Sequence, residues 1–188
     1  MVTGEIHFQD MPTYKNLKIL AIDPGTREMG VALLEGGKLI HYGVKAIKRK
    51  RSPHETLEEG RDNNKDAHCL NNISELIDRY MPDAIVVEDF NGMGSRRCHR
   101  IQILIKKIIE LAEAKNIKTH RFSRSKIREV FALHGAGTKF EIAQAIAGDF
   151  PELASRLPPP RKCYMSEDSR MSIFDAMSLA VSYFYYHN

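Results

Sequence analysis

The sequence predicts a single α/β domain on a mixed five-stranded sheet, three antiparallel strands followed by two parallel ones, flanked by helices. Three observations predict it. Three short apolar runs follow one another before any helical pattern begins, and two further runs are separated by an amphipathic segment. The composition agrees: 188 residues with 43% apolar content suit one compact domain with a real core.

Residues 1–16 are polar and aperiodic and include Pro12, so a flexible N-terminal arm is expected there, with the folded domain spanning 17–188. LKILAID (17–23) has the unbroken apolar character of a buried strand, and MGVALLE (29–35) and KLIHYGV (38–44) follow as partners, separated by DPGTRE and by Gly36-Gly37. Between 55 and 80, Leu57, Leu70, Ile73, Leu76, Ile77 and Tyr80 recur mostly at intervals of three and four, the spacing of an amphipathic helix that Pro82 ends. DAIVVED (83–89) reads as a buried strand, His99 to Asn116 as a helix closed by Asn116, and IKTHRF (117–122) as the last strand. Ser and Thr caps predict helices starting at SRSKIREVFAL and TKFEIAQAIAGDF. Pro158-Pro159-Pro160 predicts a stiff connector to a final helix from about Asp168 to Tyr185. The order β-β-β-α-β-α-β requires crossover helices to add the later strands in parallel.

Bulk chemistry narrows the function. A formal charge of +4 and a sequence pI near 8.9 favour an anionic partner. Cys69, Cys98 and Cys163 are scattered, odd in number and without C-x-x-C spacing, so they suggest neither a disulfide framework nor a zinc site and fit a reducing compartment. No apolar run reaches the roughly 18 residues of a membrane span and no secretory signal is visible. A cytoplasmic protein is expected, nucleoid-associated if bacterial.

Three carboxylates stand where charge is costly. Asp23 ends a strand that should be buried on both faces and precedes the tight turn Pro24-Gly25-Thr26; alone, it is also what an Asx turn uses. Glu88 ends AIVVE on the strand expected beside the first. Asp89 is its neighbour, but successive strand residues face opposite ways, and Glu88 continues the strand while Asp89 begins the loop. Asp175 is embedded in the apolar helix segment MSIFDAMSLAV, where a charge faces a partner or a site, or else solvent. Together, three such groups make a hard oxygen cage suited to magnesium or manganese.

These segments carry a resemblance. ILAIDPGTREMGVALLEGGKLIHYG is similar to the first motif of RuvC-type Holliday-junction resolvases, IVVEDF to the second, and FDAMSLAV to their C-terminal Asp-Ala helix, in the family's order and over residues 17 to 185. The resemblance implies a ribonuclease H-like fold and a homodimeric endonuclease acting on branched DNA in recombination or repair. It further implies hydrolysis with two divalent ions about 4 Å apart, Mg2+ or Mn2+. Asp23 would bridge both ions, with Glu88 on one and Asp175 on the other. The segment SRSKIREVFALHGAGTKFEIA is similar to the family stretch with two basic DNA-contacting residues, which fall on Arg128 and Lys139. One departure matters: the family's fourth carboxylate lies three residues before the last, where this chain has Ser172. Glu167 and Asp168 are nearby, and Asp168 is the substitute considered, although about two helical turns would separate it from Asp175.

Basic clusters at Lys45 to Arg51, at Arg96-Arg97 with Arg100, and at Arg121, Arg124, Lys126 and Arg128 follow strand ends and loops, as DNA backbone contacts do. Phe90, two residues past Glu88, could stack on an unpaired base or simply pack. In the helix from His99, the apolar positions Ile101, Ile103, Leu104, Ile105, Ile108, Ile109 and Leu111 exceed one stripe, which leaves some for a dimer partner or for the chain's own terminal helices. Three other readings use the same residues. An actin-like ATPase, suggested by IDPGT, needs a second such domain and a second phosphate loop. A ribonuclease cutting RNA or an RNA–DNA hybrid and an inactive nucleic-acid-binding protein require activity assays to separate.

Overall fold

The computed structural model describes residues 16–47, 58–162 and 164–187, the side chains of 58–64 excepted. Most of the expected arm, the end of the first basic cluster from 48 to 51, Leu57 and Cys163 lie outside the described residues.

Strands β1 (Lys18–Pro24), β2 (Glu28–Glu35) and β3 (Lys38–Ala46) form the expected antiparallel meander. Helix α1 (Glu58–Tyr80) crosses to β4 (Ala84–Glu88), which pairs with β1 in parallel, and α2 (His99–Ala114) crosses to β5 (Lys118–Phe122), parallel to β4. The sheet order is β3-β2-β1-β4-β5, so the two strands expected to carry acids are neighbours at its centre. Helices α3 (Arg124–Ala132) and α4 (Lys139–Asp149), a 3-10 turn (Pro151–Arg156) and α5 (Met171–His187) follow. The mixed sheet and its flanking helices are those the sequence predicts.

Local chemistry sets the ends. Met81 and Asn116 adopt positive φ where α1 and α2 terminate. Ser123 caps α3 by accepting from the Lys126 N–H, and Thr138 and Glu141 form a reciprocal capping box at α4. The last helix starts later than the sequence implies. Asp168 lies outside it because its side chain accepts from the Arg170 N–H, a local turn that competes with helix.

Strand alternation divides the core into two layers. Ile19, Ala21, Ala32, Ala84 and Val86 point toward α3, α4 and α5. Leu20, Ile22, Val31, Ile85 and Val87 point toward α1 and α2. Continuing that period of two places both Asp23 and Glu88 on the α5 face. Gly30, the register partner of Asp23, lets α5 approach closely: a Cβ there would lie 1.9 Å from the Ser172 carbonyl oxygen. The first turn of α5 is thereby seated beside the end of β1.

Candidate active site

Asp23, Glu88 and Asp175 meet on that face, and each is buried, with 4%, 1% and 8% of its surface exposed. The parallel register pairs Ile22 with Val87, so Asp23 and Glu88 are the next residues on adjacent strands. Asp89, by contrast, turns into the loop and accepts from the Asn91 N–H.

Three cations interleave with the acids. Arg97 hydrogen-bonds both Asp23 and Glu88, the latter at 2.6 Å from Nη2, and also donates from Nη1 to the Pro24 carbonyl at 3.1 Å. Arg124 donates from Nε to Glu88 at 3.0 Å and from Nη1 to Asp175 at 3.3 Å. Lys139 Nζ lies 2.7 Å from both Asp175 and Glu167. Among the described residues, no three Asp, Glu, His or Cys side chains converge closely enough to hold an ion between them. The guanidinium groups occupy the space between the acids.

The electrostatics are uneven. Burial pushes the Asp23 carboxyl up to about 6; Arg97 and Arg124 oppose that rise, while Asp175 and Glu88 add to it. Burial also opposes the charge on Glu88, but Arg97 and Arg124 outweigh it and hold its carboxyl below the usual range. Glu88 Oε1 is buried without a well-formed hydrogen bond, and so is Ser95 Oγ, whose proximity helps stabilise the Glu88 charge.

The cluster opens into a cleft of about 660 Å³ lined by Glu88, Arg97, Arg124, Arg128, Lys139 and Asp175, with Arg96 and Glu167 also on its wall. Arg96 and Arg128 are exposed. Asp168 turns away to Arg170, whose hydrogen bonds hold its carboxyl down at about 2, whereas Glu167 reaches the cleft through Lys139. Ser172 donates to Glu28 at 3.4 Å. Phe90 is half-buried on the α1/α2 side of the sheet under the Lys106 ammonium. The sequence marks Arg97 and Arg124 as basic but gives no hint that they hold the carboxylates. Register could have shown it for Arg124, since Phe122 pairs with Glu88 and Arg124 stands two residues beyond.

The chain is similar to a crossover junction endodeoxyribonuclease RuvC of Xanthomonas oryzae pv. oryzae, with 23% identity over 146 residues that cover 76% of this chain and 79% of the relative. A RuvC of Xanthomonas axonopodis pv. citri is 24% identical over the same length. The fold matches that of T. thermophilus RuvC, solved in complex with Holliday junction substrate, at a TM-score of 0.63 and 18% identity, over 92% of this chain and 96% of that one. The chain is RuvC-like in sequence and in fold. The yeast mitochondrial Holliday junction resolvase Ydc2 has the same architecture, with a TM-score of 0.60 and 15% identity over 95% of this chain and 82% of Ydc2. No family model matches the chain. In this RuvC-like fold the three acids come from the ends of two adjacent parallel strands and from the helix packed across them.

Proposed function

We propose that this RuvC-like chain is a divalent-metal-dependent endonuclease that hydrolyses phosphodiester bonds in branched DNA of the Holliday-junction type, in recombination or repair. The observation that carries the reading is the gathering of buried Asp23, Glu88 and Asp175 around shared arginines, with Glu88, Asp175, Arg128 and Lys139 lining an open cleft. In donor chemistry, three buried carboxylates, one with an oxygen lacking a well-formed hydrogen bond, suit magnesium or manganese, while the guanidinium groups occupy the space between them in this arrangement. Such ions, two in a site of this kind, activate water and stabilise the leaving oxygen. Asp23, Glu88 and Asp175 would be the residues that hold such ions, Asp23 standing near both of the others. Lys139 neutralises Asp175 and, with Arg128, offers positive charge to the scissile phosphate. The exposed Arg96 extends the DNA path, whereas Phe90 would have to leave its packing against the α1/α2 layer under Lys106 to stack on an unpaired base.

A homodimer supplies two such sites related by a two-fold axis, as paired cuts in a four-way junction require. Helix α2 supports this assignment: it buries Ile101, Leu104, Ile105 and Ile108 but leaves Ile103 36% exposed and Ile109 and Leu111 half-buried. Light scattering at micromolar concentration should give twice the chain mass, and a monomer that still cuts both junction strands at one rate would refute the dimeric arrangement.

The function is tested on a panel of four-way junction, flap, linear duplex and RNA–DNA hybrid, with and without magnesium. The junction should be cut fastest and only with the metal. Preferential cutting of the hybrid would reassign the chain as a ribonuclease. No cleavage with either magnesium or manganese would remove the nuclease assignment and leave a nucleic-acid-binding protein.

A further inference from the structure

Arg97 and Arg124 lie between the carboxylates, not around them. Each guanidinium bridges two acids: Arg97 joins Asp23 to Glu88, and Arg124 joins Glu88 to Asp175. With Lys139 shared between Asp175 and the cleft-wall Glu167, three cations face four carboxylates, so the chain's own side chains already balance most of the acidic charge. A divalent ion and a guanidinium compete for the same carboxylate lone pairs. A divalent ion entering so nearly balanced a network leaves excess positive charge, which repels the guanidinium groups and attracts a phosphodiester.

The two arginines are placed to move. Arg97 belongs to the irregular segment between β4 and α2, which carries Gly92 and Gly94, the latter at a φ of 86°. Arg124 is the first residue of α3, held by the Ser123 cap, so side-chain rotation alone can carry its head away from the acids. Both line the cleft. The planar fork that grips a carboxylate fits a phosphate equally well.

We propose that Arg97 and Arg124 are exchangeable counter-cations. They hold the acids together in the resting protein, give way to divalent ions, and then become ligands of the DNA phosphates at the scissile position. This rests on the nuclease reading above.

The test measures Mn2+ affinity by electron paramagnetic resonance, and affinity for a four-way junction in Ca2+, for the wild type, Arg97→Gln and Arg124→Gln. Each variant removes charge-assisted hydrogen bonds that compete with the ion, so Mn2+ should bind about tenfold more tightly. Junction affinity should fall severalfold. The two changes have opposite signs, whereas a merely structural loss weakens both. Unchanged or weaker Mn2+ binding in both variants overturns the proposal.

Nitrogen-15 NMR of the wild type gives a second readout that does not depend on the variants folding. The Arg97 and Arg124 Nε–H signals should shift and lose protection from solvent exchange as Mg2+ is added, and unaltered signals at saturating Mg2+ overturn the exchange. A wild type that binds neither ion overturns this and the nuclease reading together. Junction cleavage by a wild type whose variants show unaltered Mn2+ affinity overturns the exchange alone.

Discussion

Two clusters of buried charge sit on opposite faces of the sheet. On the α1/α2 side, Asp66 is 3% exposed and takes Arg100 Nη2 on one carboxylate oxygen at 3.0 Å and Lys107 Nζ on the other at 3.2 Å. On the α5 side, Asp23, Glu88 and Asp175 share their cations, and Glu88 and Asp175 open to a cleft. The first cluster is a lone acid with both oxygens engaged, which ties α1 to α2. The second concentrates acids beyond what the packing of helix on strand requires. Burial of charge alone therefore does not mark a site; what separates the two is several acids on one face beside an opening.

The sharpest way to break that comparison is to neutralise one acid in each cluster. Asp23→Asn should cut junction cleavage by more than the ~10²–10³-fold that a single oxyanion-hole donor is worth, with the fold and DNA binding retained. Asp66→Asn should lower stability by about 2 kcal/mol, less than the ~3–5 of a fully buried broken pair because Lys107 is partly exposed, and leave cleavage per folded molecule intact. Denaturant melts beside single-turnover assays check both. Full activity of Asp23→Asn in magnesium would erase the distinction.

Gly30→Ala comes next. Its Cβ meets backbone at Ser172, so α5 must shift, at a cost of about 1–3 kcal/mol. A displacement of Asp175 by about 1 Å should lower cleavage about a hundredfold. Wild-type rates in this variant would mean that the position of α5 is not critical to the acidic cluster.

The acids were legible in the sequence because they depend on alternation and on strand ends, both of which are local patterns. Asp23 and Glu88 continue the apolar period of their own strands, and Asp175 interrupts an apolar helix. Their cations were not legible in the same way. The pairing of Arg124 with Glu88 spans 36 positions and follows from the β4–β5 register, which no local pattern encodes. The surroundings of the nearby acids were hidden for a related reason: helical spacing pointed to Asp168, whereas Asp168 pairs with Arg170 outside the helix and Glu167 pairs with Lys139 on the cleft wall.

Smaller effects sharpen the picture at the rim. Arg128→Ala should weaken junction binding similarly across DNA sequences and reduce the salt slope by about one, as loss of one phosphate contact does. Lys139→Ala should do the same and also slow cleavage, because Lys139 touches Asp175 whereas Arg128 is exposed. An unchanged slope in both would move the DNA path elsewhere.

The smallest expected effect is local to α4, which delivers Lys139. Hydrogen bonds from the Thr138 and Gly137 backbone hold the Glu141 carboxyl below its usual range. Its contribution is therefore present above the ordinary glutamate pKa of about 4.3 and lost as pH falls through the depressed value. The melting temperatures of wild type and Glu141→Gln should differ at neutral pH and converge in acid. A difference independent of pH would show that the carboxylate charge plays no part in the cap.

The three acids belong to the first, middle and last parts of the chain, and α5 contributes the final one. As the polypeptide emerges during synthesis, β1 and β4 can pair before α5 exists. If the acids act as proposed, hydrolytic competence is the last property the molecule acquires, since a nascent chain lacking its final helix holds only two of its three acids.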